Sequence, residues 1–219
     1  MSKSTPRSNP TLPLLLASGL VTGCANIQDD QQRTQAEGAA AGAVIGALIG
    51  YAIDKEQGAA IGAVIGGGAG FVVGNEIAKR KKAYANTEDF LNAQIARVAE
   101  FNRTTLAYNN KLRREIASLD RESKRLQAQY KSGAIKKQTL VSKRNALNEK
   151  IAGSKKLEQT LVQEQKVQSQ ILAEERKTRP ANDPYIRKLE REVKTLQGNI
   201  DTLRSNNTQL AQIDPRLSV

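Results

Sequence analysis

Apolar and polar residues alternate along this chain by two different rules, and the change comes near residue 78. From Leu91 onward apolar side chains recur at steps of three and four: Leu91, Ile95, Val98, Leu112, Ile116, Leu119, Leu126 and Tyr130 share one seam, interrupted by Asn102, Thr105, Asn109 and Ser123. That spacing predicts a long helix with one face against a partner. Ser132 and Gly133 break the pattern, and a glycine just past the last turn can take the left-handed conformation that ends a helix. The seam resumes imperfectly at Leu140, Leu147, Ile151, Leu157 and Leu161, with a register shift near Ser154, and runs to about Thr178. "RPANDP", Arg179 to Pro184, ends it, because proline removes a backbone donor and clashes with the preceding turn. The last helix is the most regular, with Ile186, Val193, Ile200 and Asn207 at one seam position and Leu189, Leu196, Leu203 and Leu210 at the other. Such a stripe must be covered.

Two questions stay open in this pattern. If Gly133 is a turn, arms of about 46 and 43 residues form an antiparallel hairpin of roughly 65–70 Å; if it is only a weak point, a single rod near 140 Å results. The matched arm lengths favour the hairpin. The terminal stripe, with β-branched residues at a, leucine at d and one asparagine at a, suits a parallel dimer or a return onto the preceding helix.

Before residue 78 the rule is different. Glycine occupies positions 38, 42, 46 and 50, then 58, 62, 66, 70 and 74. An interior glycine costs a helix about 1 kcal/mol relative to alanine, so nine at a four-residue period need another source of stability. Ala39–Ile53 and Gln57–Gly74 carry no charge, with "DKE" at 54–56 between them, which reads as two apolar helices and a polar turn. Sixteen to eighteen residues reach about 24–27 Å, the lower edge of a bilayer span. Glycines four apart make a flat groove along each helix, where close backbone approach replaces the hydrophobic drive that lipid does not supply. Gly38, Gly42, Gly46, Gly50, Gly58, Gly62, Gly66, Gly70 and Gly74 are therefore the helix-packing candidates. A flexible glycine-alanine spacer would need neither the strict period nor the β-branched residues between. Lys79–Lys82, "KRKK", follow directly and suit either anionic headgroups or a solvated helix start.

The first 23 residues have the form of an export signal: Lys3 and Arg7 without an acid, the apolar run "LPLLLASGL", and small residues before Cys24. The residues "VTGC" at 21–24 resemble the lipobox of bacterial lipoproteins. That resemblance implies acylation of Cys24 and removal of what precedes it, and Ala25 in place of aspartate implies outer-membrane sorting. The glycine block resembles the glycine-zipper domains of bacterial outer-membrane lipoproteins of the surface-antigen type, which carry two such helices after a lipidated cysteine. The likeness covers Cys24 and roughly residues 36–78, and the long charged tail departs from the shorter members.

Charge and composition narrow the function. The chain has 34 Lys or Arg against 22 acids, a net +12, and removing residues 1–23 takes two basic residues and no acid, leaving +10. Residues 111–156 alone hold fourteen Lys or Arg against four acids, a net +10. In a hairpin this charge lies toward the far tip; in a rod it is a band in the middle. It either solvates the helices or attracts an acidic partner. For an exported chain, peptidoglycan with its peptide carboxylates or an acidic envelope protein fits better than nucleic acid, which also lacks interleaved aromatics here. No histidine and a single cysteine leave little for a metal site or a hydrolytic triad, so no catalytic residue and no cofactor is expected.

The expected fold is all-α: a signal over 1–23, a linker over 24–36, a glycine-zipper membrane hairpin over 37–78, charged helices over 79–178 turning at 132–134, a Pro loop over 179–184, a heptad helix over 185–212 and a tail over 213–219. The expected function is a structural, non-enzymatic lipoprotein of the outer membrane. Its helices would lie in the periplasm for self-association or partner binding, with membrane lipid and further copies of itself as partners. The competing reading is an oligomeric pore, or a secretion or efflux component, with the helices as periplasmic adaptor.

Overall fold

The computed structural model describes residues 73–218, and its elements are helical throughout: α1 Val73–Lys81, α2 Thr87–Lys131, α3 Lys137–Glu175, α4 Pro184–Ala211 and a terminal 3-10 turn Asp214–Leu217. The all-α expectation holds, with no strand among the described residues. The export signal, Cys24, the linker and the glycines from Gly38 to Gly70 lie outside the described residues.

Helix α2 starts where its sequence can satisfy the free amides of a first turn. Asn86 precedes it in an extended conformation and its side chain accepts from the Asp89 amide at 2.9 Å, while Glu88 and Asp89 oppose the positive end of the helix dipole. The helix then runs for 45 residues, about 67 Å. Gly133 ends it at φ 74°, with the Ala134 amide donating to the Gln129 carbonyl at 2.8 Å and the Gly133 amide to Tyr130 at 3.0 Å. This paired closure satisfies carbonyls the helix leaves open, and only glycine reaches it without strain.

The turn sends α3 back along α2. Lys143 pairs with Glu122 at 2.8 Å and Lys150 with Glu115 at 2.7 Å, each pair nearly equidistant from Gly133. Leu119 and Leu147 line one small apolar cavity near the tip. The chain is thus a hairpin at Gly133, and the rod is excluded.

The Pro loop reverses the chain again. Asp183 accepts from the Tyr185 and Ile186 amides at 2.8 and 3.1 Å, and Pro184 takes a first-turn place where its missing donor costs nothing. Helix α4 packs against both α2 and α3, which touch each other far less. It runs parallel to α2 and antiparallel to α3. Its whole stripe is buried: Leu189, Leu196, Leu203 and Leu210 are 0 % exposed, and Ile186, Val193, Ile200 and Asn207 join them. The open question about this stripe is settled in favour of the return onto its own chain. Each such apolar side chain contributes about 1.5–3 kcal/mol relative to exposure.

A repeated asparagine contact fixes the register of α2 against α4. The Asn102 amide donates to the Glu192 carbonyl at 2.9 Å, and seven residues on Asn109 donates to the Asn199 carbonyl at 2.9 Å. In return Asn199 donates to Asn102 Oδ1 at 3.1 Å and Asn206 to Asn109 Oδ1 at 3.2 Å. The asparagine interruptions of the seam are therefore paired, as buried amides must be, and Ser123 donates to the Asp120 carbonyl, while the buried Thr105 hydroxyl has no hydrogen-bond partner among the described residues. Ser154, at the predicted register shift, donates to Asn207 of α4. Of the expected tail, residues 213–218 pack on the bundle, since Ile213 and Leu217 are buried.

Candidate functional site

Helix α1 carries the last glycine of the block and the residues just after it, and a buried ionic cluster fastens it to the bundle. It packs on α3 and α2, with Ile77 buried and Val73 half-buried against the core. Arg80 Nη1 and Nη2 donate to Glu164 Oε1 and Oε2, both at 2.8 Å, Arg80 Nε donates to Glu76 at 3.0 Å, and Nη1 reaches Gln94 at 3.2 Å. Arg97 of α2 donates to the same Glu164 at 3.0 Å, and Gln168 Nε2 does so at 2.7 Å. The Glu164 side chain is 6 % exposed and Arg80's 11 %. One carboxylate from α3 therefore lies between guanidiniums from α1 and α2. Burial pushes the Glu164 carboxyl up, but Arg80 and Arg97 outweigh it and hold it down at about 2. Burial also acts to lower Arg80, and its hydrogen bonds to Glu164 and Glu76 overcome that and raise it.

A second cluster lies at the same end of the bundle. Lys81 donates to the buried Glu175 at 2.7 Å, and Arg179 pairs with Glu175 at 3.5 Å and with Asp183 at 2.9 Å. Lys81 and Tyr84 also meet Phe90, at 5.6 Å to the ring and 5.9 Å between rings. Of the four basic residues in "KRKK", Arg80 and Lys81 are thus engaged inside the protein, while Lys79 and Lys82 stay exposed.

The opposite end has the other character. From Ser123 to Asn148 there is no acid and there are seven Lys or Arg. Of the fourteen basic residues over 111–156, five have a carboxylate partner: Lys111, Lys124, Lys143, Arg144 and Lys150. Arg144 holds the Asp214 carboxyl below its ordinary range through its hydrogen bonds. Arg121, Arg125, Lys131, Lys136 and Lys137 are exposed and, among the described residues, make no ion pair. The first turn of α3 carries no acid. Within the acid-free span Lys124, Lys143 and Arg144 reach carboxylates that lie outside it, and Arg125, Lys131, Lys136 and Lys137 stay uncompensated around the turn.

Of the predicted site residues, Gly74 alone falls in the described part. It lies in the first turn of α1, exposed, with nothing within 4 Å of the place a Cβ would take. Among the described residues there is no helix long and apolar enough to cross a membrane and no group of His, Cys, Asp or Glu able to hold a metal ion.

Residues 2–78 fit the family model described as YMGG-like Gly-zipper. The match covers about the first third of the chain and ends inside α1; it supports a glycine-zipper family and, with it, a membrane-associated envelope protein. No curated protein and no solved structure matches the chain.

Proposed function

We propose that this chain is a structural lipoprotein of the bacterial outer membrane, acylated at Cys24, held in the membrane by its glycine-zipper hairpin, and carrying a rigid periplasmic bundle that presents a basic tip to acidic envelope components. The observation that carries the proposal is the attachment of α1. Helix α1, which carries the last glycine of the block, is pinned to the bundle through a buried, two-pronged Arg80–Glu164 contact, so that motion of one is transmitted to the other. Such a contact suits a mechanical element, since a spacer would leave the join solvated.

The closed bundle supports this division of roles. Because α4 is spent within its own chain, self-association belongs to the glycine grooves, where close backbone approach is the available drive. Catalysis and cofactors form no part of this proposal. Metabolic labelling with a fatty-acid probe tests the anchor: the wild-type chain incorporates label and fractionates with the outer membrane, and Cys24→Ser does neither. Equal incorporation in both would remove the lipoprotein assignment. Gly62→Leu and Gly66→Leu test the zipper, because a large side chain blocks backbone approach. Detergent-resistant oligomers unchanged in both would remove it.

A further inference from the structure

The acid-free tip around Gly133 faces away from the end where α1 joins. Arg80 contacts Gln94, and 39 residues of helix and turn separate Gln94 from Gly133, about 58 Å at the α-helical rise. Arg125, Lys131, Lys136 and Lys137 project from both arms and the turn, with Arg121, between Asp120 and Glu122, at their border, and none of the five makes an ion pair among the described residues. They line neither of two concave sites described near this end, whose walls are formed by other residues. A small anion needs converging donors, and a polymer strand needs a groove. Specific protein interfaces centre on buried apolar or aromatic anchors, whereas among the described residues the exposed large hydrophobic is Leu106, far from the tip. Three of the five cations are lysines, strongly hydrated point charges suited to a diffuse field of anions.

We infer that the tip docks on the headgroups of an anionic bilayer, and that the protein bridges the membrane holding its glycine block to a second lipid surface. The bridging part rests on the membrane anchor proposed above; the docking part does not. Divergent cations on a convex end match a plane of negative charge, and each lysine near such a surface adds to binding.

Full-length protein is reconstituted in neutral phosphatidylcholine nanodiscs and titrated with vesicles of phosphatidylcholine alone or of phosphatidylcholine with phosphatidylglycerol. The expected result is capture of the anionic vesicles only, weakening as salt rises. Lys131→Gln/Lys136→Gln/Lys137→Gln lowers that affinity roughly a hundredfold, while Lys155→Gln/Lys156→Gln, higher on the bundle, leaves it within about twofold. The helical signal in circular dichroism stays unchanged in both, since these side chains make no ion pair. Equal capture of neutral vesicles, an unaffected triple variant, or pelleting with isolated peptidoglycan or an acidic protein but not with anionic vesicles overturns the inference. A wild-type chain that fails to enter neutral discs counts against the anchor instead, and the same titration in neutral detergent still decides the docking.

Discussion

Arg80 and Glu164, 84 positions apart in sequence, meet through two parallel hydrogen bonds of 2.8 Å each. Arg97 approaches the same carboxylate from α2, so Glu164 is the negative charge that both guanidiniums share. Removing one partner of a buried pair leaves the other uncompensated, at a cost of about 3–5 kcal/mol. Glu164→Gln, which leaves two arginines facing each other, is expected to fall in that range. Arg80→Met leaves Glu164 paired with Arg97 and should cost about half as much. Urea unfolding of the two variants checks the order; a smaller loss in Glu164→Gln contradicts the geometry.

The same carboxylate makes stability depend on pH. Its folded value of about 2 lies below the ordinary 4.5. A depressed acid contributes stability that is fully present above the unfolded value and lost as pH falls through the folded one. Stability should therefore decline as pH drops from about 4.5 toward 2, with Asp214, also held low, adding to the slope. Urea midpoints across this window should show a shallower slope in Glu164→Gln than in wild type.

Glycine to alanine should change stability in opposite directions at two places. Gly133 has φ 74° and open space around a Cβ, so its substitution costs conformational strain alone, about 1 kcal/mol. Gly198, inside α4 with equally open surroundings, should gain about 0.5–1 kcal/mol on becoming alanine. The difference between the two midpoints in urea isolates backbone conformation from packing.

What the sequence made legible follows the strength of each physical signal. Helix α4 was plain because its stripe is apolar at nearly every step, and the turn at Gly133 because so few residues tolerate its conformation. Every predicted seam residue of α2 is at least half-buried. A second line was missed although the signal existed, since Gln94, Phe101 and Tyr108 are spaced seven apart and all are buried. Ile213 and Leu217, four apart across "IDPRL", gave a similar hint. The clamp had no such signal: Arg80 and Glu164 each look like solvated helix charges until two reversals of the chain bring them together. The competing solutions for the α4 stripe were separated only by the return path that the Pro loop provides.

The asparagine contacts predict a coupling that simple burial would not produce. Asn206 and Asn109 join across α2 and α4, with Asn109 also holding the Asn199 carbonyl. Asn109→Ala should cost about 1–3 kcal/mol, because it strands buried polar groups. A double-mutant cycle with Asn206→Ala should show a coupling of about 0.5–1.5 kcal/mol. Additive losses would place the register elsewhere.

The closed bundle joined to an acylated anchor is tested most directly by one distance in native membranes. Cysteines at the exposed Ser118 and Ala146, spin-labelled in envelopes from cells making the full chain, report on both halves of the account. A hairpin brings these positions onto neighbouring arms, within about 25 Å, whereas a continuous helix would separate them by about 42 Å. An acylated Cys24 takes up no thiol label, so the account predicts two labels per chain and a single short distance. A distance near 42 Å, or a third label on Cys24, would contradict it.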